Sequence, residues 1–194
     1  FKNNIPKGVK FIKGNCQDEK VINKLSNYRF DAIFHIAGQS SGEISFDNPT
    51  YDLQTNAQST LLLLKLALKT NCAKFIYAST MSIYGDQKKM PVNERAILSP
   101  ISFYGVGKIA SEHYMRIYQE FGINSTSLRL FNVYGPGQNM YNLKQGMVSI
   151  FLSQVLSGQK IHVKGDKTRF RDFVYIDDVV DAFLYANNSE FQGY

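Results

Sequence analysis

Short apolar runs alternate with longer amphipathic stretches along this sequence, and that alternation constrains the fold more than any other feature. The runs at residues 31–36 and 74–79 are largely apolar and lack the polar-apolar alternation of a half-exposed strand. Strands of this kind are covered on both faces, as in a parallel sheet. The stretches between them place apolar residues at helical spacing, so the sequence predicts an α/β fold with a parallel sheet.

Periodicity and capping signals divide the chain into predicted elements. Helices are expected at residues 18–27, 49–69, 102–121, 145–157 and 177–186. Strands are expected at residues 9–13, 31–36, 74–79, 125–130, 160–163 and 171–176. Gly122 is a stop signal after the third helix, and Asp177 is placed to cap the last one.

Ligands of parallel sheets bind beyond the carboxyl ends of the strands. That rule selects residues 35–41, 79–84 and 129–137 as candidates for a site. Thr80 places a hydroxyl at such an end, where it could hydrogen-bond a substrate oxygen. The same hydroxyl could instead cap the loop that follows the strand.

Tyr104 and Lys108 lie four residues apart in the third predicted helix, so phenol and ammonium share one face. A phenol has a pKa of ~10, and a nearby cation favours its ionised form. Two unit charges ~4 Å apart interact by roughly 4 kcal/mol at an effective dielectric of ~20, which is at most about three pKa units. The pair is therefore predicted to lower the pKa of Tyr104, although the spacing alone also fits an ordinary surface pair.

Five segments occur in an order that is more specific than any one of them: DAIFHIAG, FIYASTMSIYG, SFYGVGK, LRLFNVYGPG and RDFVYIDDVVDA. Together with Asn56, they resemble the extended short-chain dehydrogenase/reductase family, in its nucleotide-sugar epimerase branch. The resemblance covers residues 9–186 and implies a Rossmann-like doubly wound parallel sheet.

The resemblance also implies a role for each matching position. The implied catalytic residues are Thr80, Tyr104 and Lys108. Contacts with NAD are implied for Asn15, Cys16, His35, Ala37, Gly38, Asn56, Ser79, Tyr104 and Lys108. Contacts with a nucleotide-diphosphate sugar are implied for Thr80, Ser82, Asn132 and Arg171. Asn15 stands where many members carry an Asp that touches adenine, and its amide still offers hydrogen bonds.

The implied reaction is epimerisation of a nucleotide sugar, at C4 of a UDP-hexose, through a transient keto sugar. Family dehydratases carry an Asp-Glu pair directly after the threonine, and related decarboxylases carry a Glu at the position of Ser82, whereas this chain has Met81 and Ser82. Methionine cannot supply the second acid or base that loss of water requires. A keto-sugar reductase or dehydrogenase is the first alternative, and a non-catalytic nucleotide-binding homologue is the second.

A Gly-rich phosphate-binding turn, which this family places after its first strand, does not occur near the start of the sequence. We therefore expect the sheet to be truncated at both ends. Residues 1–135 would be a partial NAD-binding domain, and residues 136–194 would begin the substrate-binding lobe and return to the Rossmann sheet. On this view the chain alone would fold badly and would bind NAD poorly. The family also implies a homodimer, through the helices that contain Asn56 and Tyr104.

Composition argues against other classes of protein. The net charge is +6, but Lys and Arg are scattered, which does not favour nucleic-acid binding. Apolar runs such as residues 61–64 are too short to cross a bilayer. Neither the cysteines, Cys16 and Cys72, nor the histidines have metal-ligand spacing, so no metal is expected. Cysteine usage makes the cytoplasm the expected location.

Overall fold

The structure is a computed structural model that describes residues 4–142, 145–163, 165–166, 168 and 170–194. Its strands are β1 (Ala32–His35), β2 (Lys74–Thr80), β3 (Asn124–Leu130), β4 (Asn132–Tyr134) and β5 (Phe173–Tyr175). Its α-helices are α1 (Glu19–Leu25), α2 (Ile44–Asp47), α3 (Pro49–Leu53), α4 (Ser59–Lys69), α5 (Phe103–Gln119), α6 (Met147–Leu156) and α7 (Ile176–Asn188).

Three parallel strands form the main sheet in the order β1-β2-β3. Ala32 pairs with Lys74, and Lys74 pairs with Asn124. β4 and β5 form a second parallel sheet of two strands. The prediction of a parallel α/β sheet is confirmed, and the carboxyl ends of β1, β2 and β3 lie at one edge.

The central strand β2 is buried on both faces. Because side chains alternate along a strand, Phe75 and Tyr77 pack with residues of α4 and α5, while Ile76 and Ala78 pack with residues of α7. Helices therefore cover both faces of the sheet. This double cover is the physical reason that the strand is a continuous apolar run in the sequence.

Two predicted strands do not form. Residues 9–13 and 160–163 adopt no regular structure, and Phe11 is 55% exposed. Within the described part of the chain, no strand pairs with either segment. Pairing with a neighbour is what stabilises a strand, so an apolar segment without one stays irregular. The short strand β4, which the sequence pattern does not predict, forms because β5 lies beside it.

The predicted cap of the last helix is also wrong. Tyr175 occupies the position before α7, and no side chain caps the helix there. Asp177 lies inside the first turn instead, where its charge interacts favourably with the helix dipole. Gly122 does follow α5 with a left-handed φ of +88°, as its sequence position predicts.

The predicted helix at residues 49–69 forms as α3, a π-helical turn at Gln54–Gln58, and α4. Such turns are rare and often occur at functional sites. Here the turn includes the fully buried Asn56, whose backbone carbonyl accepts a hydrogen bond from Thr60 Oγ1 at 2.7 Å. This arrangement holds Asn56 behind the loop that follows β1.

Helix α5 carries polar residues on its buried face. It begins after Ser102, whose hydroxyl accepts a hydrogen bond from the Gly105 amide at 3.1 Å. Tyr104, Lys108 and Glu112 recur every four residues and are all buried, so they lie on one face. That face contacts β2 and β3 and carries these polar groups to the ends of the strands.

Candidate active site

Two adjoining clefts open where the strands of the main sheet end. The smaller cleft, about 430 Å³, is lined by Gly38, Ser79, Thr80, Ser82, Tyr104, Lys108 and Asn132, among others. The larger cleft, about 1000 Å³, is lined by Ser82, Tyr84, Met90, Asn132 and Arg171, among others. Five residues line both clefts and form the boundary between them: Gly42, Met81, Ser82, Phe131 and Asn132.

The structure brings Thr80, Tyr104 and Lys108 together in the smaller cleft. Thr80 comes from the end of β2, and the other two come from α5; their exposed fractions are 7%, 8% and 4%, respectively. Lys108 Nζ lies 5.6 Å from the centroid of the Tyr104 ring. Thr80 also caps the turn after β2, since its Oγ1 accepts a hydrogen bond from the Ser82 amide at 3.2 Å. Both interpretations of this hydroxyl are therefore compatible with the geometry.

The electrostatics of the pair differ from the prediction. Burial raises the pKa of Tyr104 above its usual 10, and so does the charge of Asp52, while the neighbouring Thr80 hydroxyl opposes the increase. Lys108 Nζ donates its hydrogen bond to the Ala78 carbonyl at 2.8 Å and not to the phenol. The prediction that Lys108 lowers the pKa of Tyr104 is wrong, because the desolvation of a buried phenol outweighs a cation that is directed elsewhere.

Lys108 is itself strongly affected by burial. Desolvation lowers the pKa of its ammonium to about 8, against the opposing charges of Asp52 and Glu112. Its Nζ also lies 4.6 Å from the centroid of the Tyr77 ring, where the face of the ring favours a cation. The pKa of Lys108 therefore lies much closer to neutral pH than that of an exposed lysine.

The predicted cofactor residues of the loop after β1 lie at the cleft or directly behind it. Gly38 lines the smaller cleft, and the exposed Ala37 precedes it. A Cβ atom on Gly38, whose φ is +151°, would lie 2.5 Å from Asn56 Oδ1. The side chain of Asn56 supports this loop by donating from Nδ2 to the Gln39 carbonyl at 3.1 Å. Asn56 therefore supports the loop from behind Gly38 and does not line the cleft.

His35 lies deeper than its predicted role suggests. Its Nε2 is 3.1 Å from Thr60 Oγ1 and 3.2 Å from Ser59 Oγ, and the residue is almost fully buried. Burial and the charge of Lys108 lower the pKa of this imidazole to about 3, so the ring is neutral. His35 is held in the core by α4 and does not line either cleft.

Asn15 and Cys16 are not brought to the clefts. Both precede α1, where the Asn15 carbonyl accepts a hydrogen bond from the Asp18 amide at 3.0 Å. Asn15 is exposed, and Cys16 packs against the core cluster that contains Ile22. Neither residue lines either of the two clefts.

Three of the four predicted substrate residues, Ser82, Asn132 and Arg171, line the larger cleft, whereas Thr80 lines the smaller one. Asn132 Nδ2 donates to the Asp172 carbonyl at 2.8 Å, which ties β4 to the segment before β5. Arg171 lines the cleft, and its Nη1 donates to the Phe170 carbonyl at 3.0 Å. Ser82 lies at the boundary with the smaller cleft. Asn132, Ser82 and Arg171 therefore supply an amide, a hydroxyl and a guanidinium on one side of the cleft. These groups are suited to binding phosphate and sugar oxygens.

Two further residues support the site: Asp52, which the sequence does not single out, and Gln39, which lies within the selected range 35–41 but has no predicted role. Asp52 is 1% exposed, and its Oδ2 accepts a hydrogen bond from Gln39 Nε2 at 2.7 Å. Gln39 Nε2 also donates to the Ser41 carbonyl at 2.7 Å, so the pair ties the loop after β1 to α3. The available signal is the spacing, because Asp52 lies one helical turn before Asn56.

The residues that the structure describes contain no cluster of three or more His, Cys, Asp and Glu side chains that could hold a metal ion. Nor does any helix among them combine the length and the apolar character needed to cross a membrane.

A parallel sheet covered by helices on both faces, with tyrosine, lysine and threonine at its carboxyl edge, defines a Rossmann-type α/β protein. The sequence profile of the NAD dependent epimerase/dehydratase family matches residues 1–193. The chain belongs to this family, whose cofactor is NAD.

Named relatives are mainly nucleotide-sugar enzymes. UDP-glucose 4-epimerase of Mycolicibacterium smegmatis is 33% identical over 178 residues, which are 91% of this chain and 56% of that protein. The crystal structure of UDP-glucose 4-epimerase from Thermotoga maritima with UDP-glucose has 38% identity and a TM-score of 0.90, over 95% of this chain and 60% of that one. The structure of UDP-glucose 4-epimerase from Thermus thermophilus in complex with NAD has 33% identity and a TM-score of 0.90, over 100% of this chain and 64% of that one. The chain thus spans about 60% of the length of these relatives.

Proposed function

We propose that the protein containing this chain is an NAD-dependent epimerase that acts at C4 of a UDP-hexose through a transient keto sugar. The observation that carries the proposal is the convergence of Thr80, Tyr104 and Lys108 in one cleft. Met81 and Ser82 follow Thr80 without a carboxylate, so a second acid or base for loss of water is not supplied there. The similarity to UDP-glucose 4-epimerases supports the same choice.

The residues of the smaller cleft fit the nicotinamide end of NAD. Gly38 presents no side chain, so a flat ring and its ribose could approach the backbone closely. Lys108 and Ser79 offer an ammonium and a hydroxyl, and both suit ribose oxygens. When bound there, NAD would supply the acceptor and donor of hydride. Asn15 and Cys16 would contact the adenine end, a role that rests on the resemblance alone.

The proposed chemistry of the chain is proton transfer at one sugar oxygen. Tyr104, starting as the phenolate, would take the proton of the hydroxyl as the carbon below it is oxidised, and would return that proton to the same oxygen when the carbonyl is reduced on the other face. Thr80 would hydrogen-bond the same oxygen and so fix its position. Lys108 would stabilise the phenolate during the step in which Tyr104 is ionised.

We propose that the nucleotide diphosphate occupies the larger cleft. Arg171 would pair with the diphosphate, and Asn132 and Ser82 would bind oxygens between the diphosphate and the sugar. Residues 136–194 would then contribute the beginning of a substrate-binding lobe as well as α7, which packs against the main sheet.

A keto-sugar reductase is a second candidate, and one observation favours it. Burial raises the pKa of the Tyr104 phenol and so favours its protonated form. A protonated phenol is the form that donates to a carbonyl oxygen during reduction. The two candidates differ in cofactor use: a reductase consumes NADH or NADPH in proportion to product, whereas an epimerase regenerates its cofactor in each turnover.

We also propose a homodimer, through α3 and α5. Both helices expose large apolar side chains: Tyr51 and Leu53 on α3, and Phe103 and Val106 on α5. The ring of Phe46 in α2 extends this surface, with its centroid 5.5 Å from that of Phe103. A contiguous apolar surface of this kind is typical of a protein interface.

The proposed function is tested by assaying the full-length protein with UDP-glucose and UDP-galactose, while nicotinamide absorbance is recorded. Tyr104→Phe is expected to reduce turnover by roughly 10²- to 10⁴-fold, because the acid-base hydroxyl is lost. Tyr141→Phe is the matched control, since Tyr141 is 94% exposed. Net NADH formation or consumption in step with product would reject the epimerase, and full activity of Tyr104→Phe would reject the assigned mechanism.

A further inference from the structure

Arg129, near the end of β3, has a buried guanidinium in which all three nitrogens donate hydrogen bonds. Its Nη2 lies 2.7 Å from Glu112 Oε2, and the two side chains are 5% and 7% exposed. Its Nε donates to the same carboxylate at 3.1 and 3.3 Å. Its Nη1 donates to Tyr84 Oη at 3.1 Å and to the Glu94 carbonyl at 2.8 Å. One planar group therefore holds partners on two sides.

On one side, Arg129 reaches the smaller cleft through Glu112. Glu112 Oε1 accepts a hydrogen bond from Ser79 Oγ at 2.5 Å. Ser79 lines the smaller cleft and directly precedes Thr80. Glu112 also lies one turn beyond Lys108 on the same face of α5. The carboxylate thus fixes the end of β2 against the helix that carries Tyr104.

On the other side, Arg129 holds the rim of the larger cleft. Tyr84 and Glu94 stand at the two ends of a segment, residues 85–93, that forms no helix or strand. This segment is the rim loop, and it lines the larger cleft with Asp86, Gln87, Met90, Pro91 and Val92. Fixing both ends of an irregular segment reduces the number of conformations it can adopt. Within the rim loop, Gln87 Nε2 donates to the Tyr84 carbonyl at 2.5 Å and to the Ile97 carbonyl at 3.0 Å. The two Nη1 hydrogen bonds add an anchor at each end of the loop and join it to β3.

We propose that Arg129 is a positioning residue for both clefts: it fixes the rim loop through Tyr84 and Glu94, and the catalytic strand end through Glu112 and Ser79. Only a guanidinium has enough donors, in one plane, to serve both sides at once. A buried ion pair adds little net stability compared with apolar residues, so its value here is geometrical. The inference rests on the proposed function, because it assigns Arg129 to the affinity for the nucleotide sugar.

Arg129→Lys separates the two sides, because an ammonium can pair with Glu112 but cannot also reach Tyr84 and Glu94. We expect KM for the nucleotide sugar to rise roughly tenfold, with kcat and the Kd for NAD changed less than about threefold. Tyr84→Phe removes one rim contact without disturbing the ion pair and should raise KM by a smaller factor. Arg116→Lys is the matched control, because Arg116 is exposed on α5.

The second measurement is hydrogen exchange at the backbone amides of the rim loop, without nucleotide sugar. In Arg129→Lys we expect exchange in residues 85–93 to be on the order of tenfold faster, with α4 unchanged. Unchanged exchange, or equal losses of NAD and sugar binding, would overturn the positioning role. A wild-type protein that converts no nucleotide sugar would instead reject the proposed function, while faster exchange in the rim loop would still support the role of Arg129.

Discussion

Replacing Lys108 with methionine is expected to stabilise the fold while it abolishes turnover. Burial lowers the pKa of Lys108 from 10.5 to about 8, which means that the folded state disfavours the charged form. Each pKa unit corresponds to ~1.36 kcal/mol, so below pH 8 the buried ammonium costs the fold roughly 3 kcal/mol. Methionine has a similar length and carries no charge, and it removes this cost.

Part of the gain is offset by a lost contact. Lys108 Nζ donates to the Ala78 carbonyl at 2.8 Å, and methionine leaves that carbonyl without this donor. The loss of a hydrogen bond from a charged donor costs about 2 kcal/mol. The expected net stabilisation at pH 7 is therefore about 1 kcal/mol, which raises Tm by roughly 2–4 °C in a domain of this size.

The pH dependence gives the sharper test. Between pH 8 and 10.5 the folded state has released the Lys108 proton while the unfolded state retains it, so wild-type stability rises with pH in this window. The advantage of Lys108→Met should consequently be full below pH 8 and shrink toward pH 10. Thermal melts of both proteins at pH 7, 8, 9 and 10 measure this difference directly.

A surface lysine provides the control for Lys108→Met. Lys65 is exposed on α4, so Lys65→Met should change stability by less than about 0.5 kcal/mol. The reasoning would be refuted if Lys108→Met melted below wild type at pH 7, or if its advantage did not narrow as the pH rises. Either result would mean that Asp52 and Glu112 offset the desolvation of the ammonium.

Two further substitutions test the surroundings of the site. Asp52→Asn keeps an acceptor for Gln39 but removes a charge that raises the pKa of Lys108. The fall of turnover at alkaline pH should therefore begin at a lower pH. An unchanged pH profile would contradict the effect of Asp52 on Lys108, and Asp177→Asn is the control. Gly38→Ala places a Cβ 2.5 Å from Asn56 Oδ1 and should destabilise the fold by about 1–3 kcal/mol and weaken NAD binding. Gly137→Ala is the control, because Gly137 also has a positive φ, +86°, but no atom of the described residues other than its chain neighbours lies within 4 Å of the Cβ that alanine would add. Equal melting temperatures of the two variants would exclude the contact with Asn56 as the cause of the destabilisation.

Local chemistry explains which parts of the fold are predictable from the sequence. The spans of α5 and of the helix at residues 49–69 follow from periodicity and from caps such as Ser102, which act within a few residues of the chain. The shared face of Tyr104 and Lys108 follows from helical geometry alone. The segments 9–13 and 160–163 were mispredicted because a strand depends on a neighbour that local sequence does not specify.

The candidate site divides along the same line. The sequence by itself determined the α/β class, the helix that carries Tyr104 and Lys108, and the strand end that carries Thr80, because these depend on spacing along one element. Only the tertiary structure decided the direction of the phenol pKa and the hydrogen bond from Lys108 to Ala78. It alone also joined Arg129 to Glu112 and Tyr84. Desolvation and long-range hydrogen bonds depend on what surrounds a group in space, and the order of residues along the chain does not contain that information.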